Sequence, residues 1–126
     1  MKKIIQTSNA PAPIGPYSQA VLVGNTLYTS GQIAINPRTN ELVLDSISNE
    51  IQQVMENLNA VLEAAEMTFE NVIKSSIFIS DMNNFGFINE VYGSYFNENT
   101  APARETVEVS NLPKFVNVEI SVIAIK

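Results

Sequence analysis

The residue types available for chemistry in this sequence are restricted, because it contains neither cysteine nor histidine. That composition excludes thiol nucleophiles, zinc–thiolate centres, disulfides and proton transfer by histidine. Any catalysis must therefore use carboxylates, arginine, lysine, tyrosine, hydroxyl or backbone groups. Arg104 and Glu119 are the two members of this set whose settings best suit an active site.

Arg104 lies two residues after Pro102, at the mouth of a segment that is predicted to be extended. A guanidinium can hold a carboxylate through two parallel hydrogen bonds, which both attract and orient a small anion. The alternative interpretation is a surface arginine paired with Glu105 or Glu108. The residues alone leave both interpretations open.

Glu119 lies in an otherwise apolar run, Val118-Glu119-Ile120. Partial burial of such a carboxyl group raises its pKa towards a range that is useful for acid–base catalysis. Beside an arginine that holds an anion, this carboxylate can orient a water molecule for hydrolysis. The alternative is a solvent-facing strand position or a structural ion pair.

Three further positions are weaker candidates for a site. Tyr17 follows a rigid glycine–proline pair that can aim its phenol at a pocket, and Ser30-Gly31 ends a predicted strand where backbone can approach a ligand. Asn89 lies on the second predicted helix. Packing, a strand-to-loop turn and a polar helix surface explain these three equally well when each is taken singly.

The strands that must position these residues are predicted from β-branched and aromatic content. Six segments have this character: 4–5, 20–23, 26–30, 72–80, 105–109 and 116–125. Gly24-Asn25 separates the second from the third and predicts a tight hairpin, because the turn needs positive φ there. The first segment is predicted to be an edge strand.

Two helices are predicted from apolar residues at helical spacing. The first runs from Ile47 to Ala65 with Ser46 as its N-cap, and the second carries its apolar positions from Phe85 to Phe96. Alternation of strands and helices predicts an α+β (mixed α/β) fold, with both helices on one face of a single sheet. Residues 1–126 are predicted to form one domain.

The last predicted strand has two unlike faces. One face is wholly apolar and suits packing under the helices, whereas the other mixes polar and apolar residues: Asn117, Glu119, Ser121, Ile123 and Ile125. A mixed face of this kind is unusual for one that meets only water. We therefore expect another subunit to cover the helix-free side of the sheet near Glu119.

The charge balance is acidic, with 13 Asp and Glu against 7 Lys and Arg and a formal net charge of -6. The basic residues are scattered, so a nucleic-acid partner is not expected, although a small anion needs only one arginine. No run is long enough to span a membrane, and the N-terminus lacks a secretory apolar core. We expect a soluble, cytoplasmic protein without a membrane partner.

Six short motifs together are characteristic: Asn9-Ala10-Pro11, Ile14-Gly15-Pro16-Tyr17-Ser18-Gln19-Ala20, Thr29-Ser30-Gly31-Gln32-Ile33, Asn36-Pro37, Pro102-Ala103-Arg104 and Val118-Glu119-Ile120. Their order and spacing resemble those of the YjgF/RidA family, called L-PSP endoribonuclease in older naming. The similarity covers essentially the whole chain.

This resemblance implies a chorismate-mutase-like fold, with a mixed six-stranded sheet backed by two helices. It also implies a homotrimer with clefts between neighbouring subunits. The implied reaction is hydrolysis of 2-enamino/2-imino acids, such as 2-aminoacrylate, 2-iminopropanoate and 2-iminobutanoate, to 2-keto acids and ammonia. The resemblance implies no cofactor and no metal.

The resemblance also implies roles for particular residues. Arg104 matches the arginine that binds the substrate carboxylate, and Glu119 matches the residue that holds the hydrolytic water. Further substrate contacts are implied at Tyr17, Ser30, Gly31, Asn89 and Thr106. Many relatives carry cysteine where this chain has Thr106, so a contact through the backbone N–H is what carries over there.

Other functions stay open at this point. A regulatory protein that binds keto acids without catalysis would use the same cleft and the same Arg104. A ribonuclease or translation inhibitor, suggested by the older family name, is opposed by the acidic charge. A chaperone-like holdase is a third alternative that no sequence feature selects.

Overall fold

Six strands and two helices make up the fold, and the computed structural model describes residues 1–126. The strands are β1 (Lys2–Ile5), β2 (Ala20–Val23), β3 (Thr26–Thr29), β4 (Val72–Ile79), β5 (Ala103–Glu108) and β6 (Val118–Ile125). The helices are α1 (Ile47–Ala64) and α2 (Phe85–Gly93). Neither helix combines the length and the apolar character needed to cross a membrane.

One mixed sheet contains all the strands, in the order β1-β2-β3-β6-β4-β5. β4 and β5 pair in parallel, with α2 between them in the chain, whereas β6 is antiparallel to both β3 and β4. The C-terminal strand therefore lies inside the sheet, and β5 and β1 form its edges. The predicted mixed six-stranded sheet and the edge position of the first strand are confirmed.

The turn between β2 and β3 forms as predicted. Gly24 has a φ of 60°, and Val23 pairs with Thr26 across a two-residue loop. A residue with a Cβ atom rarely adopts that φ, which is why glycine suits this position. Asn25 also binds the end of β6, because its backbone oxygen accepts a hydrogen bond from the Lys126 N–H at 3.0 Å.

Both helices cover the same face of the sheet. Ser46 caps α1, where its Oγ accepts a hydrogen bond from the backbone N–H of Asn49 at 3.1 Å. The apolar stripe of α1 packs into one core with Ile77 of β4 and with alternate residues of β6, namely Val118, Ile120, Val122 and Ala124. The predicted helix, its cap and the inward face of the last strand are confirmed.

Four predicted boundaries are wrong, and the first is that β1 begins at Lys2 rather than at residue 4. α2 ends at Gly93 rather than continuing to Phe96, whose ring instead packs edge-on against Phe69 at 5.3 Å. The last strand begins at Val118 rather than 116, because residues 113–115 form a 3₁₀ turn in which Lys114 has a φ of 56°. β5 spans 103–108 instead of 105–109. Apolar composition alone does not distinguish packed loop residues from helix or strand.

The face of the sheet opposite the helices carries large exposed apolar side chains. They are distributed over five strands and include Ile4, Val23, Tyr28, Val107 and Ile125. Soluble chains seldom leave such a face open to water. The predicted apolar character of this face is confirmed, and its coverage by another subunit stays a prediction.

Candidate functional site

Glu119 lies on the helix-free face of β6, opposite Phe78 of β4. Its carboxyl group rests directly against the backbone of Gly31. A Cβ atom on Gly31 would lie 2.7 Å from both Cδ and Oε2 of Glu119, so this approach requires glycine. Glu119 is half-buried, and desolvation raises the pKa of its carboxyl group above the ordinary value.

The Glu119 carboxyl group borders a small cavity of about 70 Å³. Its walls come mainly from the proline-rich segment and from the loop after β3: Pro11, Ala12, Ile14, Tyr17, Gln19, Gly31, Gln32, Ile33, Ile35 and Pro113. Tyr17 and Gly31 therefore lie beside Glu119, and we call these three residues the Glu119 cluster. Ser30 does not line the cavity, and its hydroxyl donates to the Ser18 backbone oxygen.

Replacing Gly31 with alanine is expected to reduce any activity that depends on Glu119 by roughly 100-fold, the contribution of one misplaced acid–base group. The new methyl group would push the Glu119 carboxyl aside, and since that group ends a flexible side chain, the fold should tolerate the change. Turnover and thermal unfolding of the variant measure the two effects. Gly93→Ala is the matched control, because nothing lies within 4 Å of a Cβ there. Normal turnover by Gly31→Ala would contradict the role of this contact.

Gln19 fixes the wall of the cavity and was not predicted from the sequence. It is buried, and its amide nitrogen donates to the backbone oxygens of Thr7 at 3.0 Å and Pro11 at 2.8 Å. Its amide oxygen accepts from the Thr7 N–H at 2.7 Å. These bonds hold the segment that carries Tyr17. A buried glutamine interrupts no apolar period, so only its place in the motif that contains Tyr17 marks it in the sequence.

Glu50 of α1 holds the start of β6 and was also missed. Its carboxylate is fully buried, and it accepts hydrogen bonds from the Asn117 N–H at 2.8 Å, the Asn117 amide at 2.7 Å and the Val118 N–H at 3.1 Å. Buried carboxylates require such donors. Because Val118 precedes Glu119, these bonds fix the strand that carries the candidate acid.

Arg104 lies on the edge strand β5, on the helix face of the sheet. Its register partner on β4 is Ser75. One guanidinium nitrogen, Nη1, donates to Oδ1 of Asn89 on α2 at 2.6 Å. The rings of Phe85 and Tyr92 flank the guanidinium, with centroids 5.6 and 5.2 Å from Cζ.

A surface ion pair does not account for Arg104, so that interpretation is wrong. Glu105 pairs instead with Lys74 at 2.7 Å, which lowers the pKa of its carboxyl group. Glu108 accepts a hydrogen bond from the Met82 N–H at 2.7 Å. The guanidinium of Arg104 forms no ion pair within the chain.

Thr106 follows Arg104 on the same face of β5, where it pairs with Ile77. Its hydroxyl oxygen is shielded from solvent and has no hydrogen-bond partner. Shielded hydroxyl groups normally find a partner, so an unpaired one beside Arg104 on the strand sets this position apart. We call Asn89, Arg104 and Thr106 the Arg104 cluster.

The two clusters lie on opposite faces of the sheet. Ser75, the partner of Arg104, is fully buried under the helices, whereas Phe78, the partner of Glu119, is three residues further along β4 and faces the other way. Arg104 and Glu119 of one chain therefore cannot contact the same small molecule. A site that uses both residues must combine two copies of the chain.

A wider polar groove of about 380 Å³ lies between α1 and the turn at residues 36–38. Its buried side chain, Asn57, is already committed to the backbone oxygens of Ile33 and Ile35 and to the amide of Gln53. No three acidic side chains converge closely enough to share a metal ion. The two clusters remain the candidate site.

Comparison with known proteins decides the family of this chain. A family model described as endoribonuclease L-PSP matches residues 7–126. The chain belongs to this family. The resemblance to the YjgF/RidA family, which shares the L-PSP name, is thereby confirmed.

Members of the L-PSP family resemble this chain over nearly its whole length. A RutC family protein of Pyrococcus horikoshii is 52% identical over 126 residues, which cover 100% of this chain and 99% of that protein. The 2-iminobutanoate/2-iminopropanoate deaminase of Rattus norvegicus is 45% identical over 100% of this chain and 91% of its own length. The crystal structure of E. coli TdcF with bound serine superposes with a TM-score of 0.93 at 42% identity, covering 98% of each chain.

Proposed function

We propose that this chain hydrolyses 2-imino acids, formed from their 2-enamino tautomers, to 2-keto acids and ammonia. Each site would combine the Arg104 cluster of one copy with the Glu119 cluster of a neighbouring copy. The observation that carries the proposal is the complementary pair itself: a guanidinium without an acidic partner, and a half-buried carboxyl group with a raised pKa. The deaminase name of the rat relative supports the same chemistry.

Arg104 would bind the substrate carboxylate. A guanidinium has five N–H donors, and Asn89 occupies only one of the nitrogens of Arg104. The remaining edge can therefore hold a carboxylate through two hydrogen bonds, with the Thr106 hydroxyl close by. The serine bound to E. coli TdcF is a small molecule that also carries a carboxylate.

Glu119 would act on the water molecule. Once the carboxylate is fixed, C2 of the imine lies at a defined place, and Glu119 accepts a proton as water attacks that carbon. Glu119 then returns its proton to the nitrogen of the carbinolamine, the C2–N bond breaks to release ammonia, and the C2 hydroxyl loses its proton to the Glu119 carboxylate or to solvent as the 2-keto acid forms. A cavity of about 70 Å³ with Ile14, Ile33 and Ile35 in its wall suits a methyl or ethyl side chain.

The assembly that unites the two clusters is proposed to be a homotrimer. Arg104 lies on an edge strand, where a neighbour can reach it, whereas Glu119 lies on the exposed apolar face. Contact between one copy's edge and another copy's face is heterologous, and such contacts form a closed ring of three when each copy is rotated by a third of a turn. Large exposed side chains such as Tyr28 and Val107 would be buried there.

Mixing two inactive variants tests this arrangement directly. Arg104→Ala retains a sound Glu119 cluster and Glu119→Gln retains a sound Arg104 cluster, so random co-assembly should restore about a quarter of wild-type turnover. The variants are unfolded together, refolded and assayed, and each variant refolded alone is the control. If native mass spectrometry detects mixed oligomers but turnover does not return, the shared site is refuted.

A keto-acid-binding regulatory protein is the second candidate function. Arg104 alone would hold the ligand in such a protein, and Glu119 would have no chemical task. The raised pKa of Glu119 and the close approach of Gly31 favour the enzyme. The variant Glu119→Gln, which removes only the charge, distinguishes the two functions through its separate effects on hydrolysis and on keto-acid binding.

The endoribonuclease name of the family model describes a different chemistry. RNA binding relies on lysine and arginine contacts to phosphate. This chain has 7 basic residues against 13 acidic ones, and Lys74 and Lys126 lie against glutamates. We therefore propose the imino-acid hydrolase in preference to a ribonuclease.

A further inference from the structure

One face of α2 encloses the guanidinium of Arg104. Phe85, Asn89 and Tyr92 are separated by four and three residues, so their side chains lie on the same side of the helix. The two rings flank the guanidinium at 5.6 and 5.2 Å, and Asn89 binds its Nη1 atom at 2.6 Å. Both ring distances are within the range of cation–π attraction, which extends to about 6 Å.

The Tyr92 ring is itself fixed in place. The residue is buried, and its hydroxyl donates to Oγ of Ser75 at 2.9 Å. Its ring also packs against Phe96 with centroids 4.7 Å apart. Ser75 is the register partner of Arg104 on β4. The same strand position therefore holds both the arginine backbone and the ring that its guanidinium contacts.

We propose that Phe85 and Tyr92 are positioning residues that hold Arg104 ready for the substrate carboxylate. This inference rests on the proposed function, in which Arg104 binds that carboxylate. An arginine side chain has many rotamers, and ordering it upon binding costs free energy. Rings that contact the guanidinium before the ligand arrives remove part of that cost. They also leave its outer N–H edge for two hydrogen bonds in the plane of the group.

The test uses the full-length protein and pyruvate as the probe. Phe85→Leu and Tyr92→Leu should each weaken pyruvate binding and raise KM for 2-iminopropanoate about tenfold, with kcat within about twofold of wild type. Tyr92→Phe retains the ring and should restore affinity, even though it loses the bond to Ser75. Phe87→Leu is the matched control, because Phe87 lies on the same helix and is 54% exposed.

A spectroscopic readout separates positioning from a general effect on folding. The Arg104 Nε–H resonance of the unliganded protein should carry a ring-current shift that Phe85→Leu and Tyr92→Leu reduce and Phe87→Leu retains. In an Arg104→Ala background, Phe85→Leu should cause no further loss of pyruvate affinity. Both results would support the assignment.

Two other outcomes would overturn the assignment. Folded Phe85→Leu and Tyr92→Phe proteins are decisive even if Tyr92→Leu does not fold. The positioning role alone would be refuted if Phe85→Leu bound pyruvate with wild-type affinity and left the Arg104 resonance unchanged. It would also be refuted if Tyr92→Phe, which keeps the ring, lost as much pyruvate affinity as is expected of Tyr92→Leu. Failure of the unsubstituted protein to bind pyruvate would refute both the proposed function and this inference, whereas pyruvate binding without imine hydrolysis would refute the proposed function alone.

Discussion

Arg104→Ala is expected to abolish imine hydrolysis, with kcat/KM reduced about 10³-fold or more, equivalent to roughly 4 kcal/mol of transition-state stabilisation. The variant loses the bonds that would hold the substrate carboxylate, and C2 is then no longer fixed beside the water. A serine dehydratase can generate 2-aminoacrylate in the assay, and keto-acid formation is followed with and without the protein. The remaining rate should equal that of spontaneous hydrolysis.

Arg38→Ala is the matched control for the loss of one positive charge. Arg38 is exposed, and its backbone N–H bond to Asn36 does not depend on its side chain. Both variants should unfold near the wild-type temperature, because the guanidinium of Arg104 forms no ion pair. Full turnover by a folded Arg104→Ala protein would reject the assignment of this residue.

Glu119→Gln is expected to lower kcat by 10²–10⁴-fold, about 3–5 kcal/mol, while pyruvate affinity stays close to wild type. Glutamine has nearly the same shape, so it fits against Gly31 but cannot accept the proton from water. Single-turnover assays measure the first effect, and calorimetric titration measures the second. Equal losses of binding and hydrolysis would favour the regulatory protein instead.

The same variant tests the environment of the Glu119 carboxyl group. Burial raises its pKa in the folded chain, so its contribution to stability is complete below the ordinary carboxyl pKa and is lost as pH rises through the raised value. Over that window the free energy of unfolding of wild type should fall relative to Glu119→Gln, as urea denaturation would measure. The acid limb of kcat/KM should lie above the ordinary glutamate range. A constant difference in stability across this window would contradict the raised pKa.

The local elements of this fold could be predicted from the sequence because local physics determines them. The glycine in Gly24-Asn25 tolerates the positive φ of its turn, and Ser46 supplies the oxygen that caps α1. Alternation along β6 separates a buried face from a mixed one. Each of these features depends on residues that are close together in the chain.

The arrangement of the strands could not be predicted in the same way. Nothing near residue 118 indicates that β6 enters between β3 and β4, and nothing near Arg104 indicates its register with Ser75. That register puts the guanidinium on the helix face, away from Glu119. The family resemblance implied the site residues, but only the sheet topology reveals that Arg104 and Glu119 of the same chain lie on opposite faces.

The buried polar residues could not be predicted either. Glu50 lies in the first turn of α1, where an acid is ordinary, yet its carboxylate binds Asn117, which is 67 residues away in sequence and directly precedes β6. Gln19 and Asn57 likewise donate hydrogen bonds to the backbone oxygens of loop residues, Pro11 and Ile33 respectively. Contacts between segments that are distant in the chain produce no periodic pattern in the sequence.

Opposite faces for Arg104 and Glu119 have a consequence for how such a protein would work at low abundance. If the site is shared as proposed, an isolated chain, however well folded, holds halves of two sites and no complete one. Dilution below the dissociation constant of the assembly would then remove catalysis without unfolding a single molecule. A cell would have to keep the chain above that concentration for most copies to take part in a complete site.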